Sequence, residues 1–123
     1  MEPLYLEATK DTPEVVLDPG KNIFRISQRS LPENANKFYQ PIIEWISFFS
    51  DAPQGDIYFD FMLDYINTSS SKQITKILLL LEYMANKVKI TIRWHYRRDD
   101  KDMLLTGERF AKLIKVNFEF FEM

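Results

Sequence analysis

Apolar positions recur along the chain in two rhythms, period two and period three to four, and their order predicts the architecture. The first third reads as short strands set apart by turn residues: Leu4 to Ala8, Glu14 to Leu17 after Thr12-Pro13, and Asn22 to Gln28 after Asp18-Pro19-Gly20. The Asp-Pro-Gly turn makes a hairpin of the second and third. Ser30-Leu31-Pro32-Glu33-Asn34 then interrupts the chain before a helical stripe of Phe38, Ile42, Trp45, Ile46 and Phe49. Pro41 falls inside that stripe. Its missing donor and its ring predict either a kink or a helix whose regular part begins near it.

From 56 to 65 the alternation is strict. Ile57, Phe59, Phe61, Leu63 and Tyr65 point one way, and Tyr58, Asp60, Met62 and Asp64 the other, which is a strand with one buried face. A polar cluster, Asn67-Thr68-Ser69-Ser70-Ser71, leads into a second helix marked by Ile74, Ile77, Leu78, Leu81, Met84 and Ala85. Ser70 with Gln73 matches a capping box, which places the helix start within two residues of Ser70. The next strand repeats the alternation, with Val88, Ile90, Ile92, Trp94 and Tyr96 against Lys89, Thr91, Arg93 and His95. A charged turn, Arg97 to Asp102, precedes a third helix with Phe110, Leu113 and Ile114, and Val116 to Phe121 reads as a last strand.

A strand buried on both faces would be continuously apolar, whereas these alternate. The expectation is therefore α/β: a mixed sheet of about five to six strands, with three helices mainly on one face and the other face polar or half exposed. The strand-helix-strand-helix-strand order implies right-handed crossovers and parallel pairing in the C-terminal half. No linker or low-complexity tract divides the sequence, so residues 1–123 are expected to form a single domain.

Composition narrows function by exclusion. Ten Phe, six Tyr and two Trp argue for an ordered core, while 16 Lys and Arg against 18 Asp and Glu leave a net charge of -2. No basic field gathers nucleic acid or anionic lipid. Without Cys, and with a single His, thiolate metal sites, cysteine nucleophiles and His-rich sites are excluded, and three glycines are too few for a phosphate-cradling loop. No cofactor is expected. Met1 to Lys10 lacks the apolar run of a signal peptide, and the apolar stretch from Ile77 to Leu81 falls far short of the ~20 residues of a membrane span. A cytoplasmic protein with no nucleic-acid or membrane partner is the expectation, either a monomer or a weak homodimer formed through an exposed sheet face or edge.

Three groups of residues carry candidate chemistry. Asp60 and Asp64 share the polar face of one strand roughly 13 Å apart, farther than two carboxylates acting across one bond. With Lys89, Arg93 or His95 on the neighbouring strand they read as cross-strand ion partners. An enzyme acting through Asp60, Asp64 and His95 would need a concave site that gathers all three. The second group, Arg93-Trp94-His95-Tyr96-Arg97-Arg98, interleaves basic and aromatic residues as single-strand nucleic-acid binders do, but Asp99, Asp100 and Asp102 nearly cancel its charge. The third is the hydroxyl cluster at Thr68 to Ser71. One or two hydroxyls suffice to cap a helix; a phosphate attached there would be stabilised by the same free amides and helix dipole.

The segments Ser30-Leu31-Pro32-Glu33-Asn34 through Trp45, and Phe59-Asp60-Phe61 through Asn67-Thr68-Ser69-Ser70-Ser71-Lys72, resemble the SiaC family of bacterial regulatory phosphoproteins. The likeness continues through Ile90-Thr91-Ile92-Arg93-Trp94-His95-Tyr96 and covers nearly the whole chain. The family's fold is similar to STAS domains, the anti-sigma-factor antagonists. STAS proteins carry Asp-Ser-Ser at the strand-to-helix join; Asn67 stands in place of that Asp here, a departure from STAS but not from the SiaC pattern.

The resemblance implies a non-catalytic partner-switching protein, phosphorylated on Thr68, the threonine of the Asn-Thr-Ser-Ser motif. It implies a serine/threonine protein kinase, a PP2C-type phosphatase, and a diguanylate cyclase that the unmodified form binds and activates. Tyr65, Asn67, Ser69, Ser70 and Lys72, with Glu33 and Asn34, are expected to shape the docking surface. The alternative is a small-molecule or nucleotide-binding STAS-like domain that uses the helix N-terminus near Ser69 and Ser70 as an anion site.

Overall fold

A computed structural model describes residues 1–123. Six strands form one sheet: β1 (Leu4–Leu6), β2 (Glu14–Asp18), β3 (Ile23–Ser30), β4 (Ile57–Ile66), β5 (Ile90–Tyr96) and β6 (Asn117–Glu122). Three helices join the later strands: α1 (Ala35–Phe49), α2 (Thr68–Met84) and α3 (Lys101–Leu113). The spatial order of the strands is their order in the chain; β1, β2 and β3 are antiparallel, and β3 to β6 run parallel. Right-handed crossovers that always step to the next strand bring all three helices to one face. Mixed sheet, helix count and one-sided cover match the expectation from alternation. No helix is long and apolar enough to cross a membrane.

A chain of aromatic rings crosses the covered face. Trp45 and Phe49 of α1 meet Phe24 of β3, which meets Phe59 of β4. Phe59 stacks on Phe61 at 4.9 Å, Phe61 meets Trp94 at 5.5 Å, and Trp94 takes Phe110 of α3 edge-on at 5.6 Å. Phe59, Phe61 and Trp94 are each at most 1% exposed. Burying one such ring is worth about 3 kcal/mol, against about 1 kcal/mol or less for a half-exposed ion pair, so this chain rather than the charged face holds the layers together.

Two positions depart from the expected pattern for physical reasons. Pro41 lies within α1, which starts six residues earlier at Ala35, so the regular helix does not begin at the proline. The lost donor costs little there because Pro41 is on the exposed side. Tyr65, expected on the buried face of β4, is half exposed. The β3–β4 register shifts between Gln28 and Arg29, which face Leu63 and Tyr65, so Asp64 has no opposite residue and the alternation breaks. Gln28 carries the distortion at φ 78°.

Helix α3 approaches the sheet through Gly107, where a β-carbon would overlap the Trp94 indole. The Trp94 Nε1–H donates to the Met103 carbonyl at 2.9 Å, so the ring cannot move aside without losing that bond. Gly107→Ala should therefore lower stability by about 1–3 kcal/mol, although alanine alone would favour the helix by about 1 kcal/mol. Denaturant unfolding measures it; an unchanged or raised midpoint would show that the contact is slack.

Candidate functional site

The carboxyl ends of β3, β4 and β5 each run into a helix, so three helix N-termini gather at one edge of the molecule. An Asx side chain caps each of them. Asn34 Oδ1 accepts from Lys37 N at 3.1 Å, Asn67 Oδ1 from Ser70 N at 2.8 Å, and Asp100 Oδ1 from Met103 N at 3.0 Å. The three caps fall at equal intervals along the chain. Ser70 is therefore not the cap that its spacing to Gln73 suggested: Asn67, extended at φ -81° and ψ 169°, takes that role three residues earlier. Gln73 reaches sideways instead, its Nε2 donating to Asn36 Oδ1 of α1 at 2.9 Å.

Ser70 belongs to a buried network beneath this edge. Its Oγ accepts from Ser30 Oγ at 2.8 Å, and Ser30 Oγ lies 2.6 Å from the Tyr39 hydroxyl. All three residues are fully buried. Burial pushes the Tyr39 phenol up to about 12, with the serine hydroxyls pulling weakly the other way. The backbone adds a further tie, Asn67 N donating to Ser30 O at 3.0 Å. Together they bind the start of α2 to the end of β3 and to α1. Ser70, expected on the docking surface, is thus a positioning residue below it.

Thr68 opens α2 and is exposed, as is Ser69. With the Ser70 amide held by Asn67 Oδ1 and the Ser71 amide by Asn67 O, the amides of Thr68 and Ser69 remain free at the positive end of the helix. Thr68 lines a groove of about 500 Å³ between α2 and α3, together with Asp64, Tyr65, Asp100, Asp102 and Arg109 among others. On the other side of α2, a wider depression of about 1090 Å³ is lined by Glu33, Asn34, Lys37, Ser69 and Lys72. The expected surface residues thus divide between two depressions that flank the α2 N-terminus, Tyr65, Asn67 and Thr68 in one and Glu33, Asn34, Ser69 and Lys72 in the other. An anion site at Ser69 and Ser70 gains no support from this geometry, since Ser70 is closed off and three carboxylates stand in the groove beside Thr68.

Asp100, which caps α3, and the α3 residues Asp102 and Arg109 were not among the sequence candidates. Only the packing of α3 against Trp94 brings them to Thr68. The recurring Asx caps were the one available signal for Asp100.

The open sheet face carries the remaining candidates. Asp60 accepts Arg93 Nε and Nη2, both at 2.8 Å, and lies 2.8 Å from His95 Nε2. Its hydrogen bonds hold the Arg93 guanidinium above its usual range. Arg93 rests over Tyr58 and His95 stacks on Phe121. Asp64 pairs instead with Arg97 at 3.0 Å, and Lys89 takes no part in any ion pair. Neither depression includes Asp60 or His95, so no concave site gathers the three groups that an enzyme reading needs. Asp60, Arg93 and His95 form a cross-strand ion cluster of the kind the alternation implied, and Asp64 stands apart with Arg97. No group of three His, Asp or Glu side chains is placed to hold a metal ion.

The buried network makes a pH-dependent prediction. Because the folded-state phenol of Tyr39 titrates near 12 rather than 10, its stabilising contribution is complete below pH 10 and is lost as the pH rises from 10 through 12. Tyr39→Phe should cost about 1 kcal/mol at pH 7 and flatten the loss of stability above pH 10. Unfolding curves of both proteins across that range test it, and identical alkaline limbs would contradict it.

Known proteins resemble this chain along its whole length. The sequence model of the SiaC family regulatory phosphoprotein matches residues 6–123. An uncharacterized protein of Pseudomonas aeruginosa strain UCBPP-PA14 is 31% identical over 113 residues, 91% of this chain and 90% of its own. The structure of SiaC from Pseudomonas aeruginosa superposes with a TM-score of 0.88 at 28% identity, covering all of both chains. The same TM-score relates the chain to the crystal structure of the diguanylate cyclase SiaD in complex with its activator SiaC from that organism, at 28% identity over 98% of this chain and 99% of the matched one. Sequence and fold agree: the chain belongs to the SiaC family of regulatory phosphoproteins.

Proposed function

We propose that this protein is a non-catalytic, cytoplasmic switch whose Thr68 is reversibly phosphorylated, and that the charge at Thr68 decides whether the α2 N-terminus docks a diguanylate cyclase. One observation carries the reading: Thr68 alone among the four hydroxyls is both exposed and set in the acidic groove, and its hydroxyl makes no hydrogen bond within the chain. The Pseudomonas aeruginosa SiaC, whose fold this chain shares, is an activator of the cyclase SiaD. A serine/threonine protein kinase and a PP2C-type phosphatase complete the circuit.

The physics of such a switch follows from the groove. A phosphate brings -1.5 to -2 charges beside Asp64, Asp100 and Asp102, with Arg109 the one cation lining the same groove. The chain's net charge is only -2, so the modification roughly doubles it and concentrates the change at one edge. A partner surface fitted to the unmodified groove through Tyr65 and Asn67, and to the neighbouring depression through Ser69, Lys72, Glu33 and Asn34, is repelled. An arginine-rich surface is recruited. The buried Ser30–Tyr39–Ser70 network keeps the helix start rigid, so that the added charge acts on the partner rather than on the fold.

Protein purified from its native cells should carry phosphate on Thr68 in some growth conditions, by intact mass and peptide sequencing. Thr68→Ala should keep cyclase binding, and Thr68→Asp should weaken it at least tenfold, about 1.4 kcal/mol, by calorimetry. Finding no phosphate on residues 68 to 71 in any condition, together with equal binding by both variants, would sink the reading.

A further inference from the structure

The two edges of the sheet are unlike. At one, β1 has three residues and follows Pro3. At the other, β6 has six, Asn-Phe-Glu-Phe-Phe-Glu, with no lysine, proline or bulge and with Glu119 and Glu122 as its only charges. The Met123 amide donates to the Tyr96 carbonyl at 2.8 Å, which fixes the orientation of the parallel ladder. Odd-numbered residues of β6 turn their amides and carbonyls toward β5. Phe118, Phe120 and Glu122 therefore point theirs outward, away from the sheet.

We propose that β6 pairs antiparallel with β6 of a second copy of this chain, about a two-fold axis through Phe120, joining two sheets into one. In that register Phe120 faces its own counterpart and Phe118 faces Glu122 of the second copy. Every outward amide and carbonyl from Phe118 to Glu122 then finds a partner. Glu119 lies opposite Phe121, so no carboxylate meets its like. A slip of two residues toward the strand's start sets Glu119 against its own counterpart, which like-charge repulsion disfavours; a slip the other way gives up the Phe118–Glu122 pairs. Registers that match even with odd positions leave the outward groups facing side-turned backbone.

Charge and apolar surface support the same occupant. Lys112 and Lys115 precede the strand and Glu122 ends it, so antiparallel pairing brings a basic start against an acidic end. Phe120, on the face of Trp94, and Phe121, on the open face beside His95, are 37% and 41% exposed, so apolar surface flanks the edge on both sides where a second copy would pair. The α2 N-terminus belongs to the β4–α2 join in the interior of the sheet order, so both phosphorylation grooves stay open in the pair.

The chain has no cysteine, which makes a clean cross-linking test. Wild-type protein should rise from 14.7 kDa toward about twice that mass with increasing concentration, by sedimentation or light scattering. Phe120→Lys, which sets two ammonium groups on the axis, should return it to the monomer with an unchanged circular-dichroism spectrum. Phe120→Cys should oxidise to a covalent dimer, since directly opposed residues lie about 5.5 Å apart at Cα. Phe118→Cys, whose counterpart would be about 14 Å away, should not. A monomer at every concentration, a dimer indifferent to Phe120→Lys, or equal cross-linking by both cysteine variants would overturn the proposal. So would a monomer that loses cyclase binding on Phe120→Lys, which would assign the edge to the partner instead.

Discussion

The handedness of the crossovers governs this molecule. Each parallel strand is laid down beside the one before it, and a right-handed connection can then place its helix on only one side of the sheet. All three helices share that side, and the aromatic chain from Trp45 to Phe110 fills the space between the layers. The same rule leaves the opposite face uncovered, where charged side chains pair across strands, and the parallel strands β3, β4 and β5 each send their carboxyl end into a helix start at one edge. Helix N-termini collect there because of topology, so the free amides and dipoles of those ends face the carboxylates of Asp64, Asp100 and Asp102 at one edge.

That edge is built on two levels. Below, Ser30, Tyr39 and Ser70 satisfy one another without water, which is the condition for burying hydroxyls at no net loss. A polar network of this kind stabilises less than an apolar plug of equal volume would, but it fixes the helix start in one place. Above it, Thr68 and Ser69 keep their side chains in solvent. A modification site needs both properties at once: an accessible hydroxyl for the modifying enzyme, and a support that does not yield when charge is added. Four consecutive hydroxyls deliver them because one turn of helix points some inward and others outward.

The interior and the open face divide the tasks of stability and specificity. The Asp60 cluster is partly buried, its side chains 17% to 36% exposed, and it satisfies the charges that a one-sided sheet presents on its open face. Membership of the SiaC family accords with a molecule whose distinctive features are surfaces and a supported helix end. The near-neutral total charge suits such a protein, since one added phosphate is then a large relative change.

Elements and their faces were legible in the sequence because period and punctuation are local properties. The alternation of Ile57 to Leu63 and the helical stripe of Ile74 to Met84 name their buried sides without knowledge of any neighbour, and the Asn67 to Ser71 cluster marks the join by its chemistry. What failed locally failed for reasons outside the segment. Ser70 resembled a cap by its distance to Gln73, but Ser30 and Tyr39 claim its hydroxyl, and those partners lie 40 and 31 positions away in the chain. Tyr65 followed the buried alternation until a register shift against β3 turned it outward. Sequence by itself determined the order of the elements and most of their buried faces; the tertiary structure alone decided which of the four hydroxyls is closed off and which acids stand beside Thr68, because packing of distant segments, not period, sets those distances.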